Sequence, residues 1–269
     1  MTLREAIKIL ADAGIDSASY DARTLFSTIG KMSRAELVSQ DSECLSPALA
    51  EAIKRRAARE PLQYIVGKVG FYRETYTVSP ACLIPRTDTE ILIEYAVKHI
   101  PSGECFVDLC TGSGCVAIST LNNTKDTRAI AVDISPEALS VAKENSKRIS
   151  VSERVTFIEG DVMSAPVTDS CFAVLSNPPY VTEAEYEELM PEIYFEPKIA
   201  FVGGEDGLDF YKHITKTYRN IISDDGFIGF EIGYGQGKAL MEIAAKNGMS
   251  AEILKDYGGN DRVAILKKN

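Results

Sequence analysis

An asparagine, two prolines and a tyrosine, Asn177-Pro178-Pro179-Tyr180, form the stretch of the sequence best suited to chemistry. They follow an apolar run, residues 171–176, that is typical of a buried strand. Each proline lacks an N–H and fixes φ at about −65°, so the strand must stop there. The Asn177 amide should therefore lie at a strand's carboxyl end, where open α/β sheets usually bind ligands. Its oxygen and the prolyl carbonyls would suit the two hydrogens of a planar –NH2 group. From these four residues alone, a turn that only closes a loop is an equally good interpretation.

A glycine-rich turn after a predicted strand at 104–109 is the second candidate site. The turn consists of Cys110, Thr111, Gly112, Ser113 and Gly114. Glycines let a backbone turn tightly and come close to a ligand. A dinucleotide motif would have a third glycine where Ala117 stands, and Asp108 is poorly placed beside a pyrophosphate. The pattern favours a cofactor without phosphate here, although a simple tight turn between strand and helix is the alternative.

Carboxylates end three successive predicted strands, at Asp108, Asp133 and Asp161. Asp133 lies about 20 residues beyond the glycines, a distance that suits an acid bound to ribose hydroxyls. Asp161 could accept a hydrogen from an adenine amino group. Each acid alone could be a loop or cap residue, and Asp133 does precede a plausible helix start at Ser135-Pro136. Together they predict a site for a nucleoside with a ribose and an exocyclic amine.

Hydrophobic periodicity divides the chain into two parts with a connector. Residues 1–60 predict short helices, and residues 61–87 predict a β-hairpin and linker, with β-forming residues between 62 and 78. From 88 to 269, strands at 104–109, 128–133, 154–158, 172–176, 226–232, 249–254 and 261–267 alternate with helices. This alternation predicts an α/β fold with a mostly parallel sheet. The last two strands are joined by only six residues, so they should pair antiparallel.

Composition limits the classes of function. The 269 residues carry a net charge of −10, and residues 76–269 hold 18 Lys/Arg against 29 Asp/Glu. A domain with this excess of acidic residues argues against a protein that binds nucleic-acid phosphates. With two histidines and no Cys-x-x-Cys pair among six cysteines, we expect no metal site. The sequence has no signal-peptide core and no apolar run long enough for a membrane, which predicts a cytoplasmic protein.

The motifs as a set resemble the protein-(glutamine-N5) methyltransferases of the PrmC/HemK family, which modify peptide chain release factors. The resemblance covers nearly the whole chain. Besides Asp108-x-x-x-Gly112-x-Gly114 and Asn177-Pro-Pro-Tyr180, it rests on Pro61-Leu-Gln-Tyr-Ile-x-Gly67, Leu83-Ile-Pro-Arg-Thr-Asp-Thr-Glu90, Glu196-Pro197, Gly203-Gly-x-Asp-Gly-Leu208, Glu231-Ile-Gly233 with Gln236, and Asp261-Arg262-Val263.

The resemblance implies a Rossmann-like class I methyltransferase sheet, preceded by a small helical domain that recognises the substrate. It implies S-adenosylmethionine as cofactor, S-adenosylhomocysteine as product and release factors as partners, with no membrane or direct nucleic-acid binding. The cofactor site would comprise Asp108, Cys110, Thr111, Gly112, Ser113, Gly114, Asp133, Asp161, Val162 and Asn177. Asn177, Pro178 and Tyr180 would be catalytic, and with Pro179 they would bind the glutamine amide. The family often has glycine where Cys110 stands, an aromatic residue at Val162 and proline at Thr87.

Several interpretations stay open at this level. The same turn could hold an adenine amino group on a flipped base, which makes a nucleic-acid methyltransferase the alternative function. Phe71 or Tyr72 could complete an aromatic sandwich around the amide with Tyr180. Thr87 and Glu90 should form a capping box for the helix at 88–99. Arg86 and Glu231 could serve the site or only the structure. The acidic run at 183–188 favours an exposed helix face, with docking of a basic substrate surface as the alternative.

Overall fold

The computed structural model describes residues 1–39, 41–164 and 167–269. The helices in these ranges are α1 (Leu3–Asp12), α2 (Ala18–Thr28), α3 (Pro47–Ala57), α4 (Leu62–Val66), α5 (Glu90–His99), α6 (Cys115–Asn122), α7 (Pro136–Arg148), α8 (Glu183–Glu187), α9 (Asp209–Tyr218) and α10 (Gly237–Lys246). The strands are β1 (Lys68–Phe71), β2 (Glu74–Thr77), β3 (Cys105–Leu109), β4 (Arg128–Asp133), β5 (Val155–Glu159), β6 (Cys171–Ser176), β7 (Ile222–Glu231), β8 (Met249–Lys255) and β9 (Asp261–Lys268). Within these ranges no helix is both long and apolar enough to span a bilayer.

Helices α1 to α4 form the first of two compact units, residues 1–68 together with 190–195. The predicted helices form because their apolar residues recur on one face: Leu3, Ala6 and Leu10 of α1 are fully buried. Ser46 caps α3 by accepting from the Leu49 N–H, and Pro47 occupies its first turn. The β-forming character assigned to 62–66 was wrong, since these residues form α4. Their apolar side chains join the helical core, and Gly67 ends the helix in the left-handed region at φ 76°.

A buried cluster of ions ties residues 190–195 to α2 and α3 within this unit. Arg56, whose side chain is 8% exposed, donates through Nε to Asp21 at 2.7 Å. Its two terminal nitrogens each lie 3.1 Å from Glu192 Oε1, and Arg59 donates to Glu192 Oε2 at 2.7 Å. The guanidinium of Arg56 therefore bridges two acids, and Arg59 supplies the second positive charge of the cluster. Removing Arg56 would leave Asp21 buried without its cation.

We expect Arg56→Ala to lower the free energy of unfolding by about 3 kcal/mol, because it strands a buried carboxylate. The neighbouring Arg55 is a matched control: its side chain is 42% exposed and pairs with Glu60. Exposed ion pairs contribute about 1 kcal/mol or less, so Arg55→Ala should cost far less. Urea unfolding of the two variants measures the difference. Equal losses at both positions would show that the buried cluster adds nothing.

A seven-stranded sheet, in the order β5-β4-β3-β6-β7-β9-β8, is the centre of the second unit, residues 69–189 and 196–269. Strands β3 to β7 pair in parallel, whereas β9 runs antiparallel to both β7 and β8. The predicted α/β class, the mostly parallel sheet and the antiparallel final pairing are confirmed. All seven predicted strands form, and their predicted ends differ from the observed ones by four residues at most.

The two faces of the sheet carry separate apolar cores because successive side chains point to opposite faces. Val107 and Val174 pack in the core that includes Tyr211 of α9 and Leu240 of α10. The alternate residues, among them Phe106, pack in the core that includes side chains of α5 and α6. From β3 the chain adds β4 and then β5 toward one edge of the sheet, and it then returns to add β6 and β7 on the other side of β3. The order of the strands therefore reverses between β3 and β6. A switch point of this kind opens a crevice at the strands' carboxyl ends.

The predicted hairpin is formed by β1 and β2, which pair in a small two-stranded sheet. The predicted Thr87–Glu90 capping box is wrong. Residues Thr87–Thr89 form a short 3₁₀ turn, and α5 begins at Glu90 without a side-chain cap. The Glu90 carboxylate instead accepts the backbone N–H of Tyr72 at 2.7 Å. Tyr72 has a positive φ of 53° in the hairpin turn, and the long-range hydrogen bond fixes that conformation.

Candidate active site

An open cleft with about 950 Å³ of empty space lies at the carboxyl ends of β3 to β6. The sequence-predicted residues that line it are Cys110, Thr111, Gly112, Ser113, Asp133, Asp161, Val162, Asn177 and Pro179. The structure thus brings together the glycine-rich turn, two of the three acids and the asparagine. Of the predicted residues, Asp108, Gly114, Pro178 and Tyr180 do not line the cleft.

Sequence reasoning missed several residues of the lining, in particular the segment before α5 and the segment after the asparagine turn. They are Ala81, Cys82, Leu83, Pro85, Thr89, Cys115, Val116, Ile134, Ser135, Ala138, Pro197, Ile199, Ala200 and Phe210, together with Arg86, whose role was left open. The motifs at 83–90 and 196–197 contain some of them. They carried the resemblance, but nothing in their spacing indicated which side chains would face a ligand.

Asp108 lies beneath the glycine-rich turn and is 1% exposed. Its Oδ2 accepts the Thr111 hydroxyl at 2.5 Å and the Ala117 N–H at 3.1 Å, which fastens the turn to the start of α6. Burial raises the pKa of Asp108 to about 7, against the effect of these two hydrogen bonds. Its other oxygen, Oδ1, is buried and has no hydrogen-bond partner among the described residues. Asp108 does not line the cleft, so it supports the glycine-rich turn from below.

Asp133 stands at the end of β4 with a carboxylate oriented by two backbone donors. Oδ2 accepts the Gly112 N–H at 2.7 Å and Oδ1 accepts the Ser135 N–H at 3.0 Å. Burial raises its pKa. Gly112 has φ 55°, and a Cβ built there would meet no atom within 4 Å, so its backbone faces open space. The carboxylate is therefore held rigidly, and each oxygen keeps a lone pair for a ligand in the cleft.

Asp161 and Val162 follow β5 on the far side of the cleft. Asp161 is exposed, and its Oδ1 accepts the backbone N–H of Met163 at 2.9 Å. Val162 is 4% exposed and belongs to the same apolar core against which the lining residue Phe210 packs. The pair offers one acceptor at the rim and an aliphatic surface below it, which fits a flat ring with a polar edge.

Asn177 ends a chain of hydrogen bonds that starts at a buried acid. Its Nδ2 donates to Thr89 Oγ1 at 3.4 Å, and the Thr89 hydroxyl donates to Glu231 Oε2 at 2.5 Å. The Tyr180 hydroxyl donates to the other oxygen of Glu231 at 3.3 Å. Burial raises the pKa of Glu231 to about 7, while these donors and the charge of Arg262 act in the opposite direction. Glu231, whose role the sequence left open, therefore sits behind the asparagine.

The Asn-Pro-Pro-Tyr turn contacts the segment that contains Gly203 and Gly204. A parallel bridge joins Val181 to Val202, and a Cβ on Gly203 would lie 2.3 Å from the Pro179 carbonyl oxygen. Only glycine permits that approach. On the other side, Gln236 Nε2 donates to the Tyr180 carbonyl at 3.1 Å, while its Oε1 accepts the Gly233 N–H at 2.9 Å. These contacts explain why the family motifs have glycine at Gly203 and glutamine at Gln236.

Arg86 forms an ion pair with the buried Glu196, whose second oxygen accepts the Ile84 N–H at 2.9 Å. Burial raises the pKa of Glu196, and the Arg86 charge opposes that rise. The pair thereby joins the two cleft-lining segments around residues 81–86 and 197–200. Arg86 itself also lines the cleft, so it serves the structure and faces the site at once.

The aromatic residues do not lie where the sequence suggested. Phe71 is 3% exposed and packs edge-on against Tyr76 at 5.8 Å, and Tyr72 packs beside the same core. Among the described residues, the aromatic side chain that lines the cleft is Phe210. Tyr180 is turned toward Glu231. The predicted exposed face of the acidic run is confirmed: α8 is exposed apart from Tyr186.

The parallel sheet with a reversed final strand, the glycine-rich turn between acids and the Asn-Pro-Pro-Tyr turn define a class I methyltransferase. The fold agrees with the crystal structure of ribosomal protein L11 methylase from Lactobacillus delbrueckii subsp. bulgaricus. That comparison has a TM-score of 0.52 at 17% identity and covers 71% of this chain and 84% of the other. A similarity at this identity establishes the fold alone.

Sequence comparison places the chain more narrowly. Residues 2–67 match the PrmC N-terminal domain, and residues 87–196 match the methyltransferase small domain. The release factor glutamine methyltransferase of Moorella thermoacetica is 36% identical, over 97% of each chain. That of Thermodesulfovibrio yellowstonii is 37% identical, over 93% of this chain and 92% of its own. The chain belongs to the release factor glutamine methyltransferase family.

Proposed function

We propose that this enzyme transfers a methyl group from S-adenosylmethionine to the side-chain amide nitrogen of the glutamine in the Gly-Gly-Gln motif of peptide chain release factors. The observation that carries the proposal is the placement of Asn177. Its Nδ2 is engaged by Thr89, which leaves Oδ1 as an acceptor at the edge of the cleft. A planar amide needs such an acceptor to be held.

The residues of the cleft fit the cofactor. The rigid Asp133 carboxylate would accept the ribose hydroxyls, and Asp161 with Val162 would take the edge and face of the adenine. The turn from Cys110 to Gly114 would pass alongside the amino-acid end, with the orphaned Asp108 Oδ1 below it. When bound, the cofactor supplies a methyl group made electrophilic by a positively charged sulfur. The carboxylates favour that positive charge.

The chemistry left to the protein is to make an amide nitrogen nucleophilic. Its lone pair is delocalised into the carbonyl. Asn177 Oδ1 and the Pro178 carbonyl would accept the two N–H hydrogens, which raises the electron density on nitrogen and holds that nitrogen facing the cofactor's methyl group. The same acceptors stabilise the positive charge that develops on nitrogen. Pro179, which lines the cleft, would pack against the amide, and Tyr180 would act from behind through its hydrogen bond to Glu231. The scheme needs no strong general base, since the proton can leave after transfer.

Residues 1–60 form the substrate-recognition domain in this proposal, residues 61–87 the hairpin and linker, and residues 88–269 the methyltransferase domain. Release factors act in translation, so the proposal carries a cytoplasmic location with it. An acidic catalytic domain disfavours direct nucleic-acid binding, because phosphates would be repelled. For that reason we prefer a glutamine amide to an adenine amino group as the methyl acceptor.

The test is a methyl-transfer assay with labelled S-adenosylmethionine and three acceptors offered separately. They are a release factor, the same factor with the glutamine of its Gly-Gly-Gln motif replaced by alanine, and double-stranded DNA. We expect label on the unaltered factor alone. Label on DNA, or equal label on both factors, would contradict the proposal.

A further inference from the structure

The Asn177 side chain has two ends of nearly equal shape, and only one orientation suits its proposed task. With Oδ1 toward the cleft it accepts from an amide –NH2; with Nδ2 there it would present hydrogens to hydrogens. The orientation must therefore be fixed by whatever lies behind the amide. In the structure that partner is Thr89 Oγ1, 3.4 Å from Nδ2.

A threonine hydroxyl can donate one hydrogen or accept, so it does not by itself choose between the two orientations. The direction of the Thr89 hydroxyl hydrogen decides which end of the Asn177 amide faces Thr89. That hydrogen goes to Glu231 Oε2, 2.5 Å away, because a carboxylate can only accept. Thr89 is then left with lone pairs alone toward Asn177. Only the –NH2 end of Asn177 can face them, and Oδ1 is turned outward.

The third member of the chain is held equally firmly. Glu231 is 2% exposed, so no bulk solvent competes for its oxygens. Oε1 accepts the Tyr180 hydroxyl at 3.3 Å, and the charge of Arg262 favours the ionised form. Two hydrogen bonds thus run in one direction, from Asn177 to Thr89 to Glu231. Each direction is set by what the next residue can accept.

We infer that Thr89 and Glu231 are positioning residues that fix the Asn177 amide with Oδ1 facing the methyl acceptor. The inference rests on the proposed function, since it concerns the orientation of the same amide. It assigns a role to a threonine that lies 88 residues from Asn177 in sequence and to an acid outside the cleft lining. Glu231 lies outside the cleft lining and Thr89 lies at its edge, and the role assigned to both is to orient Asn177.

The test is Thr89→Val, which keeps the shape of the side chain and removes the hydroxyl, measured at pH 8 where Glu231 is a carboxylate. Loss of one orienting hydrogen bond should lower kcat for release factor methylation about tenfold. The KM and the Kd for the cofactor should stay within about threefold, since Asn177 itself remains. Thr89→Ser keeps the hydroxyl and should restore kcat to within about threefold of wild type. If Thr89→Val fails to fold, the smaller Thr89→Ala takes its place.

A double-mutant cycle separates positioning from mere structural support. In an Asn177→Ala background, Thr89→Val should cause no further loss of kcat, because the group it orients is gone. Thr215→Val is the matched control: Thr215 is fully buried, and in the part of the chain that the structure describes its hydroxyl has no hydrogen-bond partner. It should leave kcat unchanged. Additive losses in the cycle, or wild-type kcat in Thr89→Val, would overturn the inference. A wild-type enzyme that leaves release factors unlabelled would instead contradict the proposed function.

Discussion

Asn177→Ala is expected to lower kcat for release factor methylation at least about 100-fold, by analogy with the removal of one oriented polar group from an active site. Its Kd for S-adenosylmethionine should stay within about tenfold of wild type. The cleft residues proposed to hold the nucleoside are on other strands, after β4 and β5. A selective loss of kcat would therefore place Asn177 on the methyl acceptor rather than on the cofactor.

Two measurements establish the result: single-turnover transfer at saturating cofactor, and calorimetric titration of the cofactor into the purified variant. Asn122→Ala is a suitable control, since Asn122 is exposed and donates to Glu74 on the surface. It should match wild type in both measurements. If Asn177→Ala lost affinity and rate by the same factor, the asparagine would serve mainly to bind the cofactor.

The sheet could be predicted from the sequence because its strands are short apolar runs between turn residues. Alternation of strands with amphipathic helices leaves few arrangements, and the six-residue connection before β9 forces an antiparallel pair. The predictions that failed were local. Residues 62–66 contain β-forming side chains, yet they form α4, because burial of their side chains in the helical core outweighs weak local preference.

The capping box at Thr87 failed for a related reason. Glu90 has the correct spacing for a cap, but the hairpin turn at Tyr72 offers it a better donor 18 residues away. The sequence around Thr87 and Glu90 does not show that the Tyr72 N–H will compete for the Glu90 carboxylate. The candidate site shows the same limit: strand ends indicated Asp133, Asp161 and Asn177 directly, whereas Thr89 and Phe210 come from helix starts whose orientation depends on the whole fold.

The sequence pointed to Asp108, but the structure gives this residue a different role from the predicted one. Its position at a strand end suggested a ligand-facing acid. The structure places it under the turn, where Thr111 and Ala117 occupy one oxygen and leave the other unpartnered. Sequence spacing predicts which residues converge, but it does not separate a residue that lines a cleft from one that supports the lining.

Asp133→Ala should weaken cofactor binding about 1,000-fold, since hydrogen bonds to a charged acceptor contribute about 1.5–3 kcal/mol each and two ribose hydroxyls would lose theirs. The substitution also frees the Gly112 N–H, which Asp133 now holds at 2.7 Å, so the glycine-rich turn loses a tether. At saturating cofactor much of the rate should return, because Asp133 lies away from the methyl acceptor.

Asp133→Asn keeps the shape of the side chain and removes its negative charge, so it tests whether the charge is needed to bind the cofactor. Both oxygens of Asp133 accept backbone N–H groups, from Gly112 and Ser135, and an asparagine would turn its own –NH2 toward one of these donors. We therefore expect Asn to rescue little of the affinity, which calorimetric titration of S-adenosylhomocysteine would measure. Asp224→Ala, at a side chain that is 99% exposed, controls for the lost negative charge and should bind normally. A Kd for Asp133→Asn within about threefold of wild type would show that the negative charge of Asp133 is not needed to bind the ribose.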